Sequence, residues 1–405
     1  MNYPLISEYI EAIKAAEDNF EELSYLRPVL GDDGLPIMTG GNFAVVFKMK
    51  DERNGRLYAV KCFTKEQEGR REAYREIAKE LKDVSSRYIL SIRYLDKELF
   101  VDTDQTTETE FPVLLMDWVE GKTLDKYLRE NLDDKYALEM LAYRFSLLAW
   151  WLIPQPFAHG DLKPDNILVR EDGTLVLVDY DGMYVPAMKC QKAREIGFPG
   201  FRHPLRTEDD FDDHIDDFPL ISILLSLKAI SLQPKLLGQY GASDRLLFSD
   251  KDCRNICQCE LLRVLYPTND SEQNVLVSLF TLAIEKQNLS NVSSRLLHLK
   301  RPIEPLSTKV TEEDLKNAWQ DEFGVKYSAD KKRLLKAPSH LMEYSIRNNT
   351  VVSFIYVCCI IYPAISALPF GKMDLSTPIF ARAVLHGLRR RFWPFDWVPI
   401  CQIQA

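Results

Sequence analysis

The sequence predicts an α+β chain of two lobes, a small β-rich one followed by a larger helical one. Three observations carry that expectation. Two β-rich runs, 43–49 and 56–63, are joined by a polar turn from Asp51 to Gly55. From Leu124 onward the apolar spacing becomes mostly helical, and residues 218–232 are apolar nearly all round, as in a buried helix. Between these regions a polar loop from His159 runs into an apolar stretch ending at Val169. The turn 170–173 and a second apolar run, 174–178, follow and end at Asp179. This is a loop followed by a β-hairpin, which delivers a second acidic residue beside the first.

Composition narrows the function. A chain of 405 residues holds one large domain or about two or three smaller ones. Hydrophobic residues at 46% suffice for a sizeable core, and 27% charged residues fit an ordinary soluble protein. The net charge of −9 supplies no basic footprint, so no nucleic-acid partner is expected. Eight cysteines are too sparse and irregular for a disulfide scaffold. Cys253, Cys257 and Cys259 have a partly zinc-like spacing but lack a fourth ligand, and are read as structural. The first residues mix acids with apolar positions, unlike a secretory signal peptide, so a cytoplasmic location with ready access to ATP is expected.

In chain order, Ile6, Ile10, Ile13, Phe20 and Leu23 fall at helical spacing, which predicts a leading amphipathic helix over 7–26 within an N-terminal extension, 1–29. Turn signals at 31–34 and Pro36 precede the two β-rich runs. A charged helix is expected over 65–84, then strands over 89–95, 97–101 and 111–118. The acidic, threonine-rich residues 102–110 read as a solvated hairpin tip.

The chemistry lies in the residue types around the central loop. Asp161, Lys163, Asn166 and Asp179 are what phosphoryl transfer needs: a carboxylate to take a hydroxyl proton, a cation near the phosphate, and two oxygen ligands for magnesium. The stretch 159–169 with Asp179 closely resembles the catalytic loop and metal-binding segment of bacterial protein-kinase-like domains of the serine/threonine type. The resemblance extends over 30–304 and implies a two-lobed protein-kinase-like fold. It also implies ATP and Mg2+ as cofactors and a protein substrate carrying a Ser or Thr hydroxyl. Asp161 would be the base, Lys163 the phosphate-neutralising residue, and Asn166 and Asp179 the metal ligands.

The other motifs of that family can be set on this chain. The glycine-rich loop is represented by Gly40 and Gly41, with Thr39 and Ala44 at the outer glycine positions and Val46 over the adenine. Ala59 and Lys61 match the strand whose lysine holds the α/β-phosphates. Its partner is expected to be Glu76, with Glu72 and Glu80 as solvated acids one turn away. Met116, Asp117 and Val119 resemble the gatekeeper and hinge that meet adenine. Asp216 matches a buried helix-start aspartate that binds the catalytic-loop backbone.

Two departures stand out. Gly160 replaces the arginine that precedes the base in most regulated kinases, a form also seen in aminoglycoside-type small-molecule phosphotransferases. The glycine after Asp179 comes one place late, at Gly182, and Asp181 is either a second acid near the metals or, the favoured reading, a turn residue. Lys163 favours a protein kinase. The alternatives are a small-molecule phosphotransferase, or a pseudokinase that binds nucleotide or acts as a scaffold.

Residues 305–405 differ in character. A helix over 312–319 and short strands over 324–352 are expected, and 321–352 resembles the N-terminal cap of BspA-type leucine-rich repeat arrays, with no repeat following. A protein partner through this C-terminal region is one expectation. Residues 353–405 form an atypical apolar tail. Residues 351–370 are uncharged, but Pro363 and Pro369 interrupt them, so a buried segment or a misfolded tail is expected rather than a membrane span.

Overall fold

The computed structural model describes residues 2–41, 43–266, 268–285 and 304–305. The helix, strands, repeat-like cap and apolar tail expected for 306–405 lie outside the described residues.

Alternation along antiparallel strands organises the first lobe. Strands β1 (Leu26–Pro28), β2 (Met38–Gly40), β3 (Ala44–Asp51), β4 (Leu57–Phe63), β5 (Ile92–Phe100) and β6 (Glu110–Asp117) form one sheet, in the order β1-β3-β4-β6-β5 with β2 added on β3. Val46 pairs with Lys61, and Ala59 pairs with both Lys48 and Met116. Because side chains alternate in direction, these residues share one face of the sheet. The opposite face carries Val45, Phe47, Met49, Val60, Cys62, Val113 and Leu115. It is buried against Tyr9, Ala12 and Ile13 of helix α1 (Ile6–Lys14). The Tyr9 hydroxyl donates to the Phe63 carbonyl at 2.7 Å, so the N-terminal segment is a working part of this lobe's core.

Three local expectations change here. The leading helix breaks at Ala15 (φ −100°, ψ 40°) and resumes only as α2 (Ala16–Asn19). The buried Glu98 carboxylate of β5 accepts the backbone amides of Glu22 and Leu23, which turns the chain into β1 instead of another helical turn. The two strands expected over 89–101 are one strand, β5. Its register shifts between Leu95 and Leu99, where Lys97 takes φ 41°. Helix α3 (Arg70–Leu81) starts five residues later than the charge pattern suggests, entered through Gly69 at φ +72°.

The second lobe begins with β7 (Lys122–Thr123), α4 (Leu124–Glu130) and α5 (Lys135–Leu152), whose N-cap Asp134 accepts the Ala137 amide at 3.0 Å. Strands β8 (Ile167–Val169) and β9 (Leu175–Leu177) form the expected hairpin, with β7 on the outer edge. Helix α6 (Asp217–Leu232) is buried along nearly its whole length, as its uninterrupted apolar sequence requires. Each such buried Leu or Ile contributes about 1.5–3 kcal/mol. Against it pack α5, α7 (Lys235–Tyr240) and α10 (Ser271–Glu285), and α8 (Asp250–Arg254) and α9 (Glu260–Leu265) add to the same core; Phe218 of α6 stacks on Phe280 of α10 at 5.8 Å. Cys253 and Cys259 are buried in this core. Among the described residues no helix is long and apolar enough to cross a membrane.

Candidate active site

The backbone of the loop that begins at His159 is fixed from beneath by α6. Asp216, buried at the start of that helix, accepts the His159 amide and, at 2.9 Å, the Gly160 amide. Burial raises its carboxyl, although His159, these amides and Arg206 all favour the charged form. The His159 ring lies 2.9 Å from the Val178 carbonyl and edge-on to Tyr180. Tyr180 is buried; its hydroxyl donates to Leu177 O at 2.9 Å and accepts the Leu90 amide at 2.8 Å, joining the two lobes.

Gly160 adopts φ +82°, and a Cβ there would stand 1.9 Å from the Gly182 carbonyl oxygen. An arginine cannot occupy the position in this backbone. The two departures from the family pattern are therefore one feature, in which a glycine in the loop receives the late glycine after Asp179.

Asp161 is held on both carboxylate oxygens. Oδ1 accepts the Phe198 amide at 3.0 Å, while Oδ2 accepts Lys163 Nζ at 2.6 Å and Asn166 Nδ2 at 3.1 Å. Asn166 also donates to the Asp161 carbonyl at 2.9 Å. Burial acts to lower the Lys163 ammonium, but its bond to Asp161 and the nearby carboxylates raise it overall.

Lys61 reaches across from β4 to the other lobe. Its ammonium lies 2.8 Å from Asp179 Oδ1, 2.9 Å from Asp181 Oδ2 and 3.4 Å from the Tyr74 hydroxyl. The Tyr74 hydroxyl in turn donates to Asp181 Oδ1. Burial pulls the ammonium down, yet Tyr74, Asp179 and Asp181 raise it well above the ordinary lysine range. For Asp179, burial acts to raise the carboxyl and Lys61 outweighs it, so the group is lowered. Asp179 also sits at φ +68°, a left-handed conformation costing about 1–2 kcal/mol in a non-glycine residue. Such local strain is typical of positions held by function.

One expectation is corrected here and one is extended. Among the described residues Glu76 is not a partner of Lys61; it sits half-exposed on the flank of α3, whose inward face is Ala73, Tyr74, Ile77 and Leu81. Asp181 lies in a turn, as expected, closed by the Met183 amide on the Tyr180 carbonyl at 3.1 Å, but its side chain does not face solvent. It is 7% exposed and points its carboxylate at Lys61 and Tyr74.

The proposed adenine-side residues fall as follows. Val46 and Ala59 share the sheet face of Lys61, and Met116 lies on that face at the end of β6. Asp117 pairs with Arg56 at 2.8 Å on the exposed side, while Val119 is buried with Leu90 and Val176, with Leu168 and Val178 packed against them. Gly40 ends β2 opposite Val45, and the Gly41 amide closes the turn onto Ala44 O at 2.8 Å.

Beyond the motifs, the segment after Gly182 supplies groups that the sequence reading did not single out. Arg206 is buried and donates to Gly160 O at 2.8 Å and Glu195 O at 3.5 Å. Arg194 donates to the carbonyls of Asp181 and Met183 at 3.1 and 3.3 Å. The Glu195 carboxyl, close to the site's aspartates, is pushed up to about 7, first by burial and then by Asp181, Asp179 and Asp161. No local sequence signal marks these groups, since all four arginine contacts are made to main-chain carbonyls, which any residue supplies.

Residues 36–207 match the family described as protein kinase domain, and the sheet-built first lobe with a helical second lobe is the fold of such a domain. The chain is similar to the serine/threonine-protein kinase OXI1 of Arabidopsis thaliana, 27% identical over 152 residues and covering 36% of each chain. Similarity to the serine/threonine-protein kinase AtPK2/AtPK19 of the same plant is 22% over 243 residues, 58% of this chain and 49% of that one. A probable serine/threonine-protein kinase of Clostridium perfringens is 24% identical over 144 residues, 35% of this chain and 20% of the relative. The chain spans about half or less of the length of these curated relatives.

Proposed function

We propose that this chain, which matches the protein kinase domain over residues 36–207, is an ATP- and magnesium-dependent protein serine/threonine kinase. The observation that carries the reading is the ion pair across the cleft. Lys61 of the sheet lobe meets Asp179 of the helical lobe at 2.8 Å, and Asp161, Lys163 and Asn166 form one hydrogen-bonded group beside it.

The residues fit the cofactors. A Cβ at Gly40 would meet nothing within 4 Å, and one at Gly41 only Ala44 O at 3.6 Å. The fold does not itself demand glycine there, whereas a backbone that must lie close over phosphates does. Among the described residues neither Asn166 Oδ1 nor Asp179 Oδ2 makes a hydrogen bond, which leaves one oxygen of each for magnesium. No group of three His, Cys, Asp or Glu side chains among the described residues could hold a metal alone. Magnesium bound with nucleotide needs no such group, because phosphate oxygens and water fill the remaining positions.

In this reading Asp161, oriented by Phe198 N and Asn166, receives the proton of the attacking hydroxyl. Lys163, bonded to the same carboxylate, sets a positive charge beside the transferred phosphoryl group. Lys61 orients the α/β-phosphates. Magnesium supplies charge neutralisation on the phosphates. Gly160 does not call for a small-molecule substrate, because its contact with Gly182 accounts for it. A nucleotide-binding scaffold is the second reading, favoured by Thr39 and Ala44 at the outer glycine positions.

The test is incubation with labelled ATP and magnesium in the presence of mixed protein substrates and, separately, of aminoglycosides, followed by phosphoamino-acid analysis of the labelled protein. Phosphoserine and phosphothreonine are the expected products. Label transferred only to aminoglycosides, or nucleotide bound without any transfer, would select one of the other readings.

A further inference from the structure

The lysine that orients the phosphates needs an anion to hold it, and here the helix expected to supply one does not. Glu76 lies on the flank of α3, and the residue that α3 presents to Lys61 is Tyr74, a neutral phenol. The charge comes from the loop after β9. The Asp181 carboxylate bridges the two, with Oδ2 at 2.9 Å from Lys61 and Oδ1 accepting the Tyr74 hydroxyl. Lys61 and Asp181 are both 7% exposed on their side chains, so the pair works in an environment where charge is little screened.

We propose that Asp181, bridged to helix α3 by Tyr74, is the positioning residue that holds Lys61 for nucleotide phosphates, in the role for which α3 carries no glutamate. The inference rests on the kinase reading above. Its logic lies in the division of the two carboxylates. Asp179 is half-exposed to the cleft and is the proposed magnesium ligand; an aspartate committed to a metal cannot also be the sole anchor of Lys61. Asp181 is turned away from the cleft and stays with the lysine.

The surroundings fix Asp181 in place. Arg194 holds its carbonyl at 3.1 Å, and the glycine that follows packs its carbonyl on Gly160. The extra residue between Asp179 and Gly182 is therefore what lets a carboxylate turn inward. Tyr74 is equally constrained. Its ring stacks on Tyr94 at 5.9 Å with an interplanar angle of 8°, and tilts against Phe63 at 5.9 Å. Neither partner of Lys61 has freedom to swing away, so this anchor is preformed without a moving helix.

The experiment compares the full-length wild type with Asp181→Asn, Tyr74→Phe and the double variant Tyr74→Glu/Asp181→Asn. Melting temperature reports folding, titration with ADP in EDTA and with Mg-ATP reports nucleotide affinity, and steady-state assays report kcat and KM. Asp181→Asn is expected to weaken ADP and ATP binding by about tenfold and to lower kcat/KM for ATP by about a hundredfold. Tyr74→Phe, which keeps the ring packing and should fold, is expected to show a smaller loss in the same direction. The double variant returns a carboxylate to Lys61 from helix α3 and should recover at least part of the lost affinity, which a merely structural role for Asp181 would not give. A folded Asp181→Asn with wild-type affinity and kcat/KM would overturn the inference alone. If Asp181→Asn does not fold, a folded Tyr74→Phe with unaltered nucleotide affinity and kcat/KM would overturn it. A wild type that binds nucleotide but transfers no phosphate would remove the kinase reading and leave the affinity test standing. A wild type that binds no nucleotide would overturn both.

Discussion

Gly160 and Gly182 meet backbone to backbone: a Cβ on Gly160 would fall 1.9 Å from the Gly182 carbonyl oxygen, and Gly160 itself sits at φ +82°. Substituting Gly160 with alanine should therefore destabilise the protein twice over. The left-handed backbone costs about 1–2 kcal/mol, and the forced contact adds about 1–3 kcal/mol of overpacking. Urea denaturation measures the sum. A Gly160→Ala variant as stable as wild type would contradict the contact.

Removal of the cleft-spanning ion pair should separate chemistry from folding. Asp179→Asn keeps the volume and removes a charged magnesium ligand, so turnover should be abolished with the circular dichroism spectrum unchanged. Lys61→Met should suppress transfer likewise, because the α/β-phosphates lose their positioning charge. Retained activity in Asp179→Asn together with its loss in Asp181→Asn would reverse the roles given to the two aspartates.

Much of this site is legible in the sequence, and the exceptions have physical causes. Lys61, Asp161, Asn166 and Asp179 are readable because each sits at a fixed offset within a loop or strand whose pattern is itself distinct. Glu76 misleads because its spacing to the following strand singles it out, yet helical geometry points inward at Ala73, Tyr74, Ile77 and Leu81. Taken alone, the apolar stripe of α3 places Tyr74 on the buried face. Asp181 is hidden by resemblance, since Asp-Gly is the commonest wording of a surface turn. Its burial depends on Gly160, some 20 residues earlier in the chain and close only in three dimensions. The break at Ala15 is illegible for the same reason, because the Glu98 carboxylate that captures the following amides comes from a distant strand.

The segment between Asp179 and Arg206 should not act as a phosphorylation switch. It contains no Ser or Thr, and its two hydroxyls, Tyr180 and Tyr184, are 2% and 6% exposed. Arg194 and Arg206, which a phosphate could otherwise recruit, are already bonded to main-chain carbonyls. Phosphatase treatment is expected to leave the rate unchanged. Silencing through a site mapped to this segment would contradict the expectation.

Glu195 should give the stability a pH dependence. Burial, and then the charges of Asp181, Asp179 and Asp161, lift its carboxyl from the usual 4.5 to about 7. Between those values the folded protein keeps a proton that the unfolded chain has lost. Its contribution to stability is thus complete at low pH and declines as pH rises through that window. Glu195→Gln should remove the decline, so the nucleotide-free variant should melt above wild type at about pH 8 and near it at about pH 4.5. A difference between the two proteins that does not change with pH would show that Glu195 is not held in this way.

Asp161, as the group proposed to take the hydroxyl proton in phosphoryl transfer, is the residue on which activity should depend most. The most direct measurement is transfer of label from ATP to protein by wild type and by Asp161→Ala, both shown by Mg-ATP thermal shift to bind nucleotide. The account predicts transfer to Ser or Thr by the wild type, and a loss of at least about a hundredfold in the variant. Equal transfer by the two proteins, or no transfer by a wild type that binds Mg-ATP, would contradict it.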